Sequence, residues 1–68
     1  MSVLRKGDKQ EQVKVLQKLL ISYGFVCGDV DGIFGGKTNA AVTAFQKNRG
    51  LSVDGVVGEK TWCALLKA

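Results

Sequence analysis

Asp29, Asp31 and Asp54 are the side chains best placed to do chemistry in this 68-residue chain, and each has a glycine beside it. Two carboxylates flanking a sugar ring, one held protonated by a raised pKa, hydrolyse glycosidic bonds. That chemistry needs a deep cleft and a carboxyl buried without partners, and a chain this short promises neither. Beside glycine, aspartate more readily closes a turn or caps a helix. Asp29-Val30-Asp31-Gly32 resembles part of a calcium loop. With Gly32 set at the invariant glycine, Cys27 and Thr38 stand where the first carboxylate and the bidentate glutamate are required. Gly32-Ile33-Phe34-Gly35-Gly36-Lys37-Thr38 resembles a phosphate loop, but the residue at the spacing of its first glycine is Asp31, which repels phosphate. Histidine is absent, which removes the common general base and the usual zinc ligand. No catalytic residue, cofactor or metal is expected.

Cys27 and Cys63 fit neither a zinc site nor a CxxC redox motif. The preferred reading is two buried, reduced thiols serving as small hydrophobes. A mutual disulfide, worth roughly 4 kcal/mol in the chain-entropy model, is the alternative.

The net charge of +4 favours anionic partners in general. The basic residues Arg5, Lys6, Lys14, Lys18, Lys37, Lys47, Arg49 and Lys60 are scattered, and the first helix connection is too long for a helix-turn-helix reader. Nucleic acid is therefore not an expected partner. No apolar run approaches the roughly 20 residues of a membrane helix, so no membrane insertion is expected. Met1–Gly7 lacks the apolar core of a signal peptide. The sequence is read as a domain cut from a larger chain, or as one exported by another route.

Three helices must position these loops. Asp8, with Glu11 three residues later, has capping-box spacing. Val13, Leu16, Leu19, Leu20 and Tyr23 then form one apolar stripe. Gly24 and Phe25 supply a left-handed stop and an apolar residue to pack back on the last turn. A second helix is predicted from about Gly36 to Arg49, its inner face Thr38, Ala41, Val42 and Phe45, with Gly50-Leu51 repeating the same ending. A third, from about Glu59 to Lys67, turns Trp62, Leu65 and Leu66 inward. No segment alternates as a strand, although a brief extended pairing of Val30 with Val53 is allowed for. The predicted fold is all-α: a compact three-helix bundle with two structured Asp-Gly loops, forming a single domain over residues 1–68 with its core at about 4–66.

The most informative feature is an internal repeat. Val30-Asp31-Gly32-Ile33-Phe34-Gly35-Gly36-Lys37-Thr38-Asn39-Ala40-Ala41-Val42 aligns with Val53-Asp54-Gly55-Val56-Val57-Gly58-Glu59-Lys60-Thr61-Trp62-Cys63-Ala64-Leu65 at a constant offset of 23. Two copies are too few for a solenoid, so one loop-into-helix unit is used twice. The aspartate accepts N–H bonds of its turn, the first glycine takes positive φ, and the apolar residues enter the core.

With these residues in view, the chain resembles the small peptidoglycan-binding domain family that accompanies amidases, peptidases and muramidases of bacteria and phages. Leu4, Gly7, Val13, Leu16-Gln17, Leu20 and Gly24 carry the first part of the resemblance. Asp31-Gly32-Ile33-Phe34-Gly35, Thr38, Ala41-Val42, Phe45-Gln46 and Gly50-Leu51 carry the middle. Val53-Asp54-Gly55-Val56-Val57-Gly58, Thr61-Trp62 and Leu65 close it. The resemblance implies a three-helix fold, a wall-binding module without catalysis and a tethered hydrolase domain in the parent chain. The domain is expected to be a monomer in the extracellular cell wall. Some relatives act instead as pro-segments or structural spacers packed on an enzyme domain, which is the alternative reading. The expected ligand surface is a shallow groove at the first glycine-rich loop. Asp31 and backbone groups near Gly32 and Gly35 would bond stem-peptide amides or sugar N-acetyl groups. Tyr23 is the aromatic candidate, and Phe34, Thr38 and Asp54 complete the set. Phe34 and Trp62 are also read as core.

Overall fold

Helix α1 cannot begin before Glu11, because loop residues claim the backbone ahead of it. In the computed structural model, which describes residues 2–67, Lys9 forms an antiparallel bridge with Ile33. The Gln10 N–H donates to Gly32 O at 3.2 Å. These bonds hold Gln10 extended (φ −165°, ψ 168°), and α1 runs Glu11–Ser22 with Gln10 as its N-cap and no capping side chain. The expected Asp8 capping box is therefore corrected: Asp8 Oδ2 accepts the Arg5 N–H at 3.0 Å and closes a turn ahead of the helix.

Helix α2 runs Gly36–Asn48 and α3 Glu59–Leu66, close to expectation. Among the described residues there is no strand, and the fold is all-α. Helices α1 and α2 end alike. Phe25 N–H donates to Leu20 O at 2.8 Å and Gly24 N–H to Ile21 O at 2.9 Å, while Leu51 N–H donates to Gln46 O at 2.8 Å and Gly50 N–H to Lys47 O at 3.3 Å. These are Schellman pairs, and they need the left-handed glycines found there, φ +89° at Gly24 and +71° at Gly50.

Helix α1 packs against both other helices. Val13, Leu16 and Leu20 of its stripe are buried, with Leu19 and Tyr23 half-covered at the margin. From α2 come Ala41, Val42 and Phe45; from α3, Trp62 and Leu65; from the loops, Phe34 and Val57. Each fully buried large apolar side chain contributes roughly 1.5–3 kcal/mol. Leu66, expected inward, is 53% exposed; it follows Leu65 directly and so lies about 100° round the helix.

The extended segment ahead of α1 acts as a strap across both loops. Leu4 exchanges two backbone bonds with Val57, at 2.8 and 3.2 Å. Phe34, the counterpart of Val57 in the repeat, donates its N–H to Asp8 O and accepts that of Gly7, both at 2.9 Å. Trp62 Nε1 donates to Ser2 O at 2.8 Å. Extended pairing thus joins Leu4 to Val57 and Lys9 to Ile33, rather than Val30 to Val53 as allowed for. The strap already occupies the loop edges.

Candidate functional site: two glycine-loop grooves

Each Asp-Gly loop is built around a buried glutamine. Gln17, on α1, is 1% exposed, and Gln46, on α2, is fully covered. The Gln17 carboxamide donates to Asp31 Oδ1, Ile33 O and Thr38 Oγ1, each at 3.1 Å. Its Oε1 accepts the Gly32 N–H at 3.0 Å. Gln46 repeats this: Nε2 donates to Asp54 Oδ1, Val56 O and Thr61 Oγ1, at 3.1, 3.0 and 3.3 Å, and Oε1 accepts the Gly55 N–H at 3.1 Å. A carboxamide has two N–H bonds and one carbonyl, so three acceptors share two hydrogens and the group is saturated. Among the described residues, no buried side-chain polar atom lacks a partner.

Each aspartate also accepts the N–H two residues on, Ile33 for Asp31 and Val56 for Asp54, both at 2.9 Å. One carboxylate oxygen is thereby fixed. Among the described residues the other, Oδ2, meets no donor in either loop. The bond from the Ile33 N–H, then that from Gln17, holds the Asp31 carboxyl below the usual carboxylate range. Asp31 is therefore an ionised acceptor at neutral pH, the opposite of a general acid.

Over the first loop lies a groove of about 230 Å³, lined by Gln17, Cys27, Asp29, Asp31, Ile33, Gly35, Gly36, Lys37 and Thr38. A second, of about 470 Å³, lies over the other loop, lined by Gly50, Leu51, Ser52, Asp54, Val56, Gly58, Glu59, Lys60 and Thr61. A third hollow, at Val3, Trp62, Cys63 and Leu66, holds no part of either network.

The structure gathers Asp31, Gly35 and Thr38 in one groove, with Gly32 buried behind it. Asp54 stands in the other. Phe34 is 1% exposed and serves the core and the strap. Tyr23 lies at neither groove. Its hydroxyl donates toward Leu65 O at 2.8 Å and Lys67 O at 3.0 Å, the unpaired carbonyls at the end of α3. Its ring meets Phe45 at 5.6 Å, with the Arg49 guanidinium 5.1 Å from the centroid.

Both cysteines are free thiols. Cys27 is buried, 2% exposed, with its Sγ 3.5 Å from Gln17 O, and burial raises its pKa. Cys63 is exposed, which corrects the reading of two buried thiols. It follows the inward-facing Trp62 on a short helix whose opposite side meets solvent.

The residues left out of the helical stripe are Gln17 and Gln46. A polar residue inside an apolar stripe reads as a boundary. The available signal is that an apolar-Gln pair, Leu16-Gln17 and then Phe45-Gln46, precedes each Asp-Gly loop.

A buried glutamine gripping an Asp-Gly turn, used twice in a three-helix fold, defines a class of small module. The family model for the peptidoglycan binding domain matches residues 9–65, and the chain belongs to that family. It is 46% identical over 66 residues to a spore cortex-lytic enzyme of Bacillus cereus, covering 97% of this chain and 26% of the enzyme. It is 44% identical over 66 residues to the N-acetylmuramoyl-L-alanine amidase CwlL of Bacillus licheniformis, covering 94% of this chain and 18% of the amidase. Among solved structures, the SleB N-terminal domain superposes with a TM-score of 0.93 at 44% identity, covering 97% of this chain and 90% of that one. The chain thus spans about a quarter or less of the two enzymes it resembles.

Proposed function

We propose that this domain binds peptidoglycan without cleaving it, holding a hydrolase domain of the same parent chain on its substrate. The observation that carries this reading is the Gln17–Asp31–Thr38 network. It fixes one Asp31 oxygen and leaves the other free beside Gly35, Lys37 and an apolar wall at Ile33. A stem peptide offers matching chemistry. Its amide N–H groups suit the Asp31 carboxylate, its carboxylates suit Lys37, and its methyl groups suit Ile33. Family membership supports the same ligand.

Catalysis has no support in this geometry. A glycosidase acid must stay protonated near neutral pH, and Asp31 is shifted the other way. A groove of about 230 Å³ falls below the usual 300–1,000 Å³ of enclosed ligand pockets, which suits weak, reversible contact with a polymer. The relatives named above are wall- or cortex-degrading enzymes several times longer than this chain. A tether of that kind raises the local concentration of the hydrolase by an amount set by linker reach. We assign the domain to the cell wall, acting as a monomer.

Pelleting with insoluble peptidoglycan stripped of teichoic acid, across a salt series, tests the proposal. Depletion from the supernatant should survive salt, and Asp31→Asn, checked for folding by circular dichroism, should weaken it by about 10-fold or more, the worth of one charge-assisted hydrogen bond. Depletion lost at modest salt would sink the specific site and leave only electrostatic attraction.

A further inference from the structure

The second groove has the same construction as the first. Every residue lining the first groove except Gln17 has its counterpart, 23 positions on, lining the second. Asp31 corresponds to Asp54, Ile33 to Val56, Lys37 to Lys60. A repeat that only shaped the turns would require the aspartate, the glycine and the threonine that bond the glutamine. It would not require a lysine at the rim of both grooves.

We propose that the groove over the Asp54 loop is a second peptidoglycan site, so that one copy of the domain is bivalent. The proposal rests on the reading of the first groove given above. Chemistry and volume both support it. Each groove holds two carboxylates and one ammonium: Asp29, Asp31 and Lys37 in the first, Asp54, Glu59 and Lys60 in the second. Each therefore suits a peptide segment carrying N–H donors or a free amine together with a carboxylate. The second acid has moved from the loop, where Ser52 stands at the place of Asp29, to the first turn of the helix, where Glu59 replaces Gly36. The two grooves thus recognise the same class of ligand in different orientations. The second is the roomier, about 470 against 230 Å³. In the first, the Lys37 chain lies across Gly28, close enough that a Cβ there would meet its Cδ at 3.1 Å. Both grooves lie on a molecule no longer than 26 Å, and a repeating polymer presents many copies of one ligand. Two weak contacts on one polymer give an avidity above either alone.

The test is titration of the 68-residue domain with a soluble disaccharide-tetrapeptide, following amide shifts by NMR and stoichiometry by calorimetry. Asp29→Trp and Ser52→Trp, at exposed positions outside the glutamine networks, fill the first and second grooves respectively, and their amide spectra report whether the fold is kept. Two ligands per domain are expected, with shifts in both loops, and one ligand for each variant. Retention on insoluble peptidoglycan should fall about 10- to 100-fold for either variant, avidity gains being about 10²–10⁴. One ligand per domain, with shifts confined to the Asp31 loop and unchanged by Ser52→Trp, overturns bivalency and leaves the proposed function standing. Shifts confined to the Asp54 loop overturn bivalency and move the site. No shift in either loop overturns both proposals.

Discussion

Gln17 and Gln46 make the same four hydrogen bonds from two different helices, each to an aspartate, a loop carbonyl, a threonine and a glycine N–H. Neither carboxamide has a free group, and neither reaches solvent. Gln17→Ala or Gln46→Ala should each cost about 2–4 kcal/mol, because several buried polar atoms lose their partner at once. A domain of this size rarely has more than about 3–5 kcal/mol in total, so either variant should be largely unfolded at 37 °C. Urea melts followed by far-UV circular dichroism measure the loss. A change below about 0.5 kcal/mol would show that the loops hold without the glutamines.

Acid should weaken the first loop through Asp31. Its native pKa lies below that of the unfolded chain, owing first to the Ile33 N–H and then to Gln17. The unfolded state therefore takes up the proton first as pH falls. The stabilisation is complete above the ordinary aspartate value of about 3.9 and is lost as pH drops through the lower native value. Asp31→Asn should flatten the stability profile below about pH 4 relative to the parent. An unchanged slope in urea melts across that window would show that the carboxylate is not held as described.

The helix-ending and loop glycines should differ in their tolerance of alanine. Gly50 has φ +71° and open space where a Cβ would stand, so Gly50→Ala incurs backbone strain alone, about 1–2 kcal/mol. Gly55 has φ +72°, and a Cβ there would stand 2.5 Å from Asn39 Oδ1. Gly55→Ala should therefore cost more than Gly50→Ala, and adding Asn39→Ala should recover the difference. Thermal melts of the three variants decide it.

Tyr23→Phe should loosen the end of α3 by about 0.5–1.5 kcal/mol, because the hydroxyl serves the carbonyls of Leu65 and Lys67. Amide exchange should speed up in the last turn of α3. Retention on peptidoglycan should stay level, since Tyr23 lines neither groove. A loss of retention with unchanged exchange would restore it as a ligand contact.

The thiols should separate cleanly by reactivity. Cys63 is exposed and Cys27 buried with a raised pKa, and the thiolate is the reacting form. A disulfide reagent should label one thiol per folded chain within minutes and the second only on unfolding. Two fast thiols would contradict the burial of Cys27.

The parts of the fold governed by local pattern were legible in the residues. Val13, Leu16 and Leu20 recur at helical spacing, and Gly24-Phe25 and Gly50-Leu51 mark ends the structure keeps. The offset repeat located both loops. What escaped depends on non-local bonds. Asp8 has capping-box spacing, yet Ile33 and Gly32 hold the chain extended beside it and shift the helix start to Glu11. Gln17 looks like a surface residue until its partners, 14 to 21 positions away, are in place. Leu4–Asp8 shows no strand alternation, because it pairs with isolated loop residues rather than a sheet.

That strap also sets the order in which the molecule can be completed during synthesis. Leu4 lies near the start of the domain, and its partner Val57 lies 53 positions further on. Contacts so far apart in sequence are slow to form, since the intervening chain must be ordered before they give any return. As chains are synthesised from the N-terminus at about 5–20 residues per second, Leu4 must wait several seconds for Val57, 53 positions on. Phe34 can meet Gly7 and Asp8 as soon as it is made, whereas Leu4 has no partner until the second Asp-Gly loop exists, so the strap closes in two stages, first over Phe34 and then over Val57.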